Sequence, residues 1–114
     1  RGNGISGASV GDSAVLAIDG KGAARELTRG QLKDPPAGSG EAMFVPLAAS
    51  LDPPWKLLAM TDGVWKYVGW ERLIEAAGRL RGQELVDALQ QAGRMKGSGA
   101  FQDDFTLVLV QDTE

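Results

Sequence analysis

The sequence predicts an α+β layered domain, because its apolar β-prone runs and its helical stretches are segregated along the chain. Three observations carry that prediction. A series of short apolar runs, clearest at 13–18 and 55–61, fills the first half of the chain. Leu73, Ile74, Ala77 and Leu80, then Leu85, Val86, Leu89 and Ala92, recur at intervals of three and four, the helical period. Phe105 to Val110 then returns to a continuous apolar run, which reads as a last buried strand.

In chain order, residues 5–10 and 13–18 are β-prone and are divided by Gly11-Asp12. Asp19-Gly20-Lys21-Gly22 is a hairpin signal, and residues 24–28 supply its return strand. Residues 30–41, with Asp34-Pro35-Pro36-Ala37-Gly38-Ser39-Gly40 at their centre, have the composition of a loop. Met43 to Leu47 reads as an edge strand, since Pro46 has no N–H to donate to a sheet. After Asp52-Pro53-Pro54, the run from Trp55 to Thr61 reads as a buried strand that Asp62-Gly63 ends. A helix over 70–80 and a second to about Met95 follow, with Gly82 interrupting between them and Lys96-Gly97-Ser98-Gly99 closing the second. No internal repeat or domain boundary is visible, so 1–114 reads as one unit or part of one.

Composition removes several classes of chemistry. The 114 residues contain neither cysteine nor histidine, which excludes disulfides, thiolate or histidine metal sites and any Ser-His-Asp triad within the chain. A net charge of −3, with no run of Lys or Arg, argues against nucleic acid and anionic membranes as partners. No apolar stretch approaches the ~20 residues of a membrane span, and no targeting signal is visible, so a cytoplasmic location is the default expectation. Hydrophobic residues make up 43% of the chain, enough to bury a core.

The remaining chemistry points to carboxylates. Asp12, Asp62 and Asp103 each stand in a turn beside an apolar run. A charge at the end of a buried strand is costly unless compensated. A divalent cation could compensate several such ends at once, because Mg²⁺ and Mn²⁺ take carboxylate oxygens and fill the rest of their shell with water. Asp is also a favoured turn residue, so each could simply cap its own turn. Gly2-Asn3-Gly4-Ile5-Ser6-Gly7 has the form G-x-G-x-x-G but lacks the preceding strand and following helix of a dinucleotide site, and reads as a glycine-rich entry to a strand. Lys21 and Lys66 read as surface lysines, Trp55, Trp65 and Trp70 as core or rim aromatics, and Glu71, Glu75 and Glu84 as solvent-facing.

Taken in order, the motifs resemble those of PP2C-type (PPM family) metal-dependent protein phosphatases. Gly11-Asp12-Ser13 with Leu27-Thr28 is similar to the family's GDSR…LT segment, and Leu58-Ala59-Met60-Thr61-Asp62-Gly63-Val64-Trp65 to its SDG segment. Asp103-Asp104-Phe105-Thr106-Leu107-Val108 is similar to the segment before its final strand, and two helices are expected between the second and third motifs. The resemblance implies a β-sandwich flanked by helices, in α-β-β-α layers, of which only the second half is present. It also implies two Mn²⁺ or Mg²⁺ ions in the intact domain and a bridging hydroxide that attacks a phosphoserine or phosphothreonine in a protein substrate. By motif match Asp62 and Asp103 would be metal ligands with the Gly63 carbonyl beside the first, and Asp12 would help Asp62 hold a third, weaker ion.

The sequence also departs from the family. The N-terminal D-G-(H/M)-G-G segment and the phosphate-binding Arg of some members are absent, so 1–114 corresponds to the C-terminal part of one domain. Lys66 stands where the family often has a second Asp, which would place its ammonium where the third cation sits. Asp104 replaces the common Asn, and the short stretch from Thr28 to Trp55 leaves the flap reduced or absent. Half a sandwich should expose apolar faces, and its own N-terminal half or a second copy is the expected partner. Alone, the chain is expected to show weak or no catalysis. Two other readings stay open: a catalytically inactive PP2C-like regulatory or binding module, and a structural or assembly domain whose Asp turns only cap strands.

Overall fold

A computed structural model describes residues 4–9, 11–29, 45–94, 100 and 104–112. The element order is β1 (Gly4–Ser9), β2 (Ala14–Ile18), β3 (Ala24–Glu26), β4 (Val45–Ser50), β5 (Lys56–Met60), α1 (Asp62–Val68), α2 (Trp70–Arg79), α3 (Gly82–Ala92) and β6 (Leu107–Gln111). The expected α+β class holds, as two antiparallel sheets with helices.

The larger sheet has the order β3-β2-β5-β6. The Asp19 turn joins β2 to β3, pairing Ile18 with Ala24. β2 pairs with β5 from Ala14↔Met60 to Ile18↔Lys56, and β5 pairs with β6 from Met60↔Leu107 to Lys56↔Gln111. Because side chains alternate along a strand, this register puts Ala14, Leu16, Ile18, Leu58 and Met60 on one face, all buried. The helices cover that face: α1 packs on β5, α2 on β2 and α3 on β6. Their own contribution is Val64 and Val68 from α1, Leu73, Ala76 and Ala77 from α2, and Leu85 and Leu89 from α3. On the opposite face Ala59, Val108 and Val110 are exposed, the two valines by 53% and 49%. The smaller sheet pairs β1 with β4, from Gly4↔Ser50 to Ser9↔Val45.

The structure departs from the sequence reading in a few places. Among the described residues three helices, not two, stand between β5 and β6, because the chain turns into α1 at Asp62 instead of looping to Trp70. β4 runs on to Ser50, residues 43–44 of the expected strand lying outside the described residues, and among the described residues β1 alone pairs with it, as an edge proline such as Pro46 requires. α3 starts at Gly82 itself, at φ +62°, with the Gly82 N–H donating to Gln111 Oε1 at 3.1 Å. Leu27 and Thr28 lie past the end of β3 in a turn, yet they still hold β2. The Leu27 N–H donates to the Val15 carbonyl at 2.8 Å, and Val15 N–H donates to the buried Thr28 hydroxyl at 3.1 Å. The loop expected at 30–41 and the glycine-rich link at 96–99 lie outside the described residues.

Candidate functional site

Asp62 sits at the end of β5, the second central strand of the larger sheet, and opens α1. Thr61 before it is extended, with φ −77° and ψ 166°, and its carbonyl accepts the Val64 N–H at 3.0 Å. Its side chain does not cap the helix. The Thr61 hydroxyl instead accepts the Thr106 N–H at 3.1 Å and lies 3.4 Å from the carbonyls of Thr106 and Asp104. With the Thr61 N–H donating to the Thr106 carbonyl at 3.1 Å, this ties the chain entering β6 to the Asp62 turn.

Asp12 belongs to the turn before β2, and β2 is the neighbour of β5, so the register carries both aspartates to the same end of the sheet. A specific bond fixes the approach: the Trp65 indole Nε1–H donates to the Asp12 carbonyl at 3.0 Å, across a sequence separation of 53. Trp65 is itself held by stacking on Trp70, with ring centroids 6.0 Å apart and planes 14° apart. The two tryptophans are half-buried rim aromatics packed against the core, in keeping with their sequence reading.

Lys66, one helical turn after Asp62, places its ammonium 3.2 Å from Asp62 Oδ2 and 5.6 Å from the centre of the Trp65 ring. The hydrogen bond from Lys66 is the main reason the Asp62 carboxyl is held below its ordinary range. Partial burial opposes it, while the Lys66 charge, the Asp12 carboxyl and the Gly63 N–H reinforce it. Lys66 is raised in turn, first by its bond to Asp62, with Asp12 adding to the effect. Lys66 is therefore no unattached surface lysine. Lys21 lies on the surface as expected, with an exposed ion pair to Asp52 at 3.2 Å.

The site thus brings together Asp12, Asp62 and Gly63, with Asp104 at its edge through its carbonyl. Asp103 lies outside the described residues. Among the described residues no group of three or more carboxylates converges on one point. The donors present are hard oxygens, the chemistry Mg²⁺ and Mn²⁺ prefer, and those ions complete their shells with water. The residues therefore fit a divalent cation in kind and could give only part of its shell. A shallow cavity of about 220 Å³ opens beside them, lined by Ser13, Ala59, Met60, Thr61, Thr106 and Val108. Sequence reasoning missed Trp65 and Thr61 as positioning residues. The only early signal for α1 was the paired spacing of Asp62 with Lys66 and of Val64 with Val68.

Set against protein-family models and against curated proteins, the chain finds no match. Solved structures do match. PppA, a key regulatory component of T6SS in Pseudomonas aeruginosa, superposes with a TM-score of 0.74 at 18% identity, over 98% of this chain and 54% of that one. RsbX in complex with magnesium gives 0.66 at 18% identity, over 96% of this chain and 49% of that one. The manganese-presoaked phosphatase domain of SpoIIE from Bacillus subtilis gives 0.68 at 20% identity, over 95% and 50%. The chain spans about half the length of these structures. Its two antiparallel sheets and three helices have the fold of about half of a PP2C-type phosphatase domain.

Proposed function

We propose that residues 1–114 are the C-terminal part of a single metal-dependent phosphatase domain that acts on phosphoserine or phosphothreonine in proteins. The observation that carries this reading is the meeting of Asp12 and Asp62 at one end of the larger sheet, in a chain with this fold. Asp62, Gly63, Asp103 and Asp12 are the residues that would hold Mn²⁺ or Mg²⁺, two ions in the intact domain. When bound, such ions supply an activated water and neutralise phosphoryl oxygens. The work of this chain is placement. Trp65 fixes the Asp12 turn, Thr61 fixes the approach to β6, and the Gly63 N–H supports the Asp62 carboxylate in its ionised form. No histidine or cysteine is needed for that role, which suits the composition.

A second reading, a PP2C-like module that binds a partner without turnover, is favoured by one observation: Lys66 already neutralises part of the Asp62 charge. Thermal melts with and without Mn²⁺, on the chain and on Asp62→Asn, followed by p-nitrophenyl phosphate turnover, separate the readings. A ligand that binds only the folded state raises its stability by mass action. The phosphatase reading expects Mn²⁺ to raise the Tm of the parent and not of D62N, with turnover in a form completed by the rest of the domain. Metal stabilisation without turnover in that completed form selects the binding module. Melts that ignore Mn²⁺ there would leave the Asp turns as strand caps.

A further inference from the structure

The geometry points to Lys66 as a tethered cation that competes with a divalent metal ion for Asp62 and so keeps the metal affinity of this site low. The inference rests on the metal-binding reading above and concerns how readily that site fills. The Lys66 ammonium donates to Asp62 Oδ2 at 3.2 Å, at the long end of the hydrogen-bond range. A metal ion taking that oxygen would have to displace it. The ammonium is also steered from a second side, because it lies 5.6 Å from the centre of the Trp65 ring. Trp65 is the residue that anchors the Asp12 turn and stacks on Trp70. One tryptophan therefore orders both the Asp12 turn and the cation facing Asp62. Two carboxylates and one ammonium leave a net charge of −1 where the two carboxylates alone would carry −2.

Removing the ammonium should strengthen binding for two reasons: Oδ2 becomes available, and a repulsive charge leaves. Coulomb repulsion between a divalent ion and a unit charge about 6 Å away in water corresponds to roughly tenfold in affinity. A lysine that served only as an ordinary helical ion pair would change stability slightly and leave metal affinity alone.

The test is Mn²⁺ binding to the full 114-residue chain, read from the electron paramagnetic resonance signal of free Mn²⁺ at low ionic strength. Parent, Lys66→Met, Lys66→Arg, D62N and the D62N/K66M double variant are compared. K66M should bind Mn²⁺ about tenfold tighter than the parent, K66R should match the parent, and the gain should vanish on the D62N background. The gain should also shrink as salt is raised, since screening weakens the repulsion. If K66M proves unfolded by circular dichroism, Lys66→Gln gives the same comparison. Parent-like or weaker binding by K66M, where D62N abolishes binding, would overturn the role of Lys66 and leave the metal site standing. Binding that is indifferent to D62N, or absent from every variant both in this chain and in the form completed by the rest of the domain, would remove the metal reading itself and the role of Lys66 with it.

Discussion

The chain contains Asp-Gly twice at the end of an apolar strand, and the two copies do different things. At Asp19-Gly20 the carboxylate turns inward on its own loop: Oδ1 accepts the Lys21 N–H at 2.9 Å and the Ala23 N–H at 3.0 Å. The result is a hairpin that returns the chain to β3. At Asp62-Gly63 the chain enters a helix, and the carboxylate faces side chains from its own helix and from the Asp12 turn. The same dipeptide thus makes a closed structural turn in one place and an outward-facing charged site in the other. What decides is the apolar pattern that follows. Lys21-Gly22-Ala23 offers nothing to bury, whereas Val64 and Val68, one turn apart, bury against the sheet.

The largest expected effect that tests this contrast is at Gly20. A Cβ there would collide with the Pro53 carbonyl, and the Gly20 N–H donates to the Asp52 carbonyl at 2.7 Å, so the backbone has little room to yield. Gly20→Ala should lower stability by about 1–3 kcal/mol, as overpacking does, seen as a lower urea midpoint. Next in size is the contrast between the aspartates. Asp19→Ala removes two hydrogen bonds within the turn and should cost about 1 kcal/mol. D62N, whose main partner is an exposed lysine, should keep nearly the parent's urea midpoint in metal-free buffer. Equal losses in chemical denaturation would mean that both turns are structural.

The smallest effect sharpens the Asp62–Lys66 pair by comparison with another pair of the same spacing. Glu75 Oε2 lies 2.9 Å from Arg79 Nε on the exposed side of α2, and the Arg79 bond holds the Glu75 carboxyl below its ordinary range. A depressed carboxyl stabilises the fold above the unfolded-state range and loses that contribution as pH falls through its folded value. Glu75→Gln should therefore lower the Tm only slightly near neutral pH, since an exposed pair is screened by solvent. The difference from the parent should close as pH is lowered below the ordinary Glu range, which melts at pH 7 and pH 3 would show.

Much of the scaffold was legible from residue pattern. The Asp19 hairpin, the strands about β2, β5 and β6, and the helices from Trp70 onward all follow from local signals. α1 was not legible, because Asp-Gly reads as a stop and Val64, Trp65, Tyr67 and Val68 favour strands more than helices. Only burial against the sheet overrides those tendencies. The convergence of Asp12 and Asp62 was implied by the family resemblance and not by local pattern, since it depends on which strands become neighbours. The Trp65–Asp12 bond was beyond reach, as no local pattern announces a hydrogen bond across 53 residues. The thin coverage of the larger sheet's second face, where Val108 and Val110 stay exposed, agrees with a chain that spans about half of its structural counterparts.

The stacked tryptophans have an optical consequence. Two indoles 6.0 Å apart with planes 14° apart are close enough to couple their excited states. One of them also bonds to the Asp12 carbonyl and lies beneath the Lys66 ammonium. Any displacement of the Asp12 turn or of that ammonium changes the electric field on a chromophore already built into the rim. Fluorescence and near-ultraviolet dichroism of the unlabelled chain would then report events at the carboxylates directly.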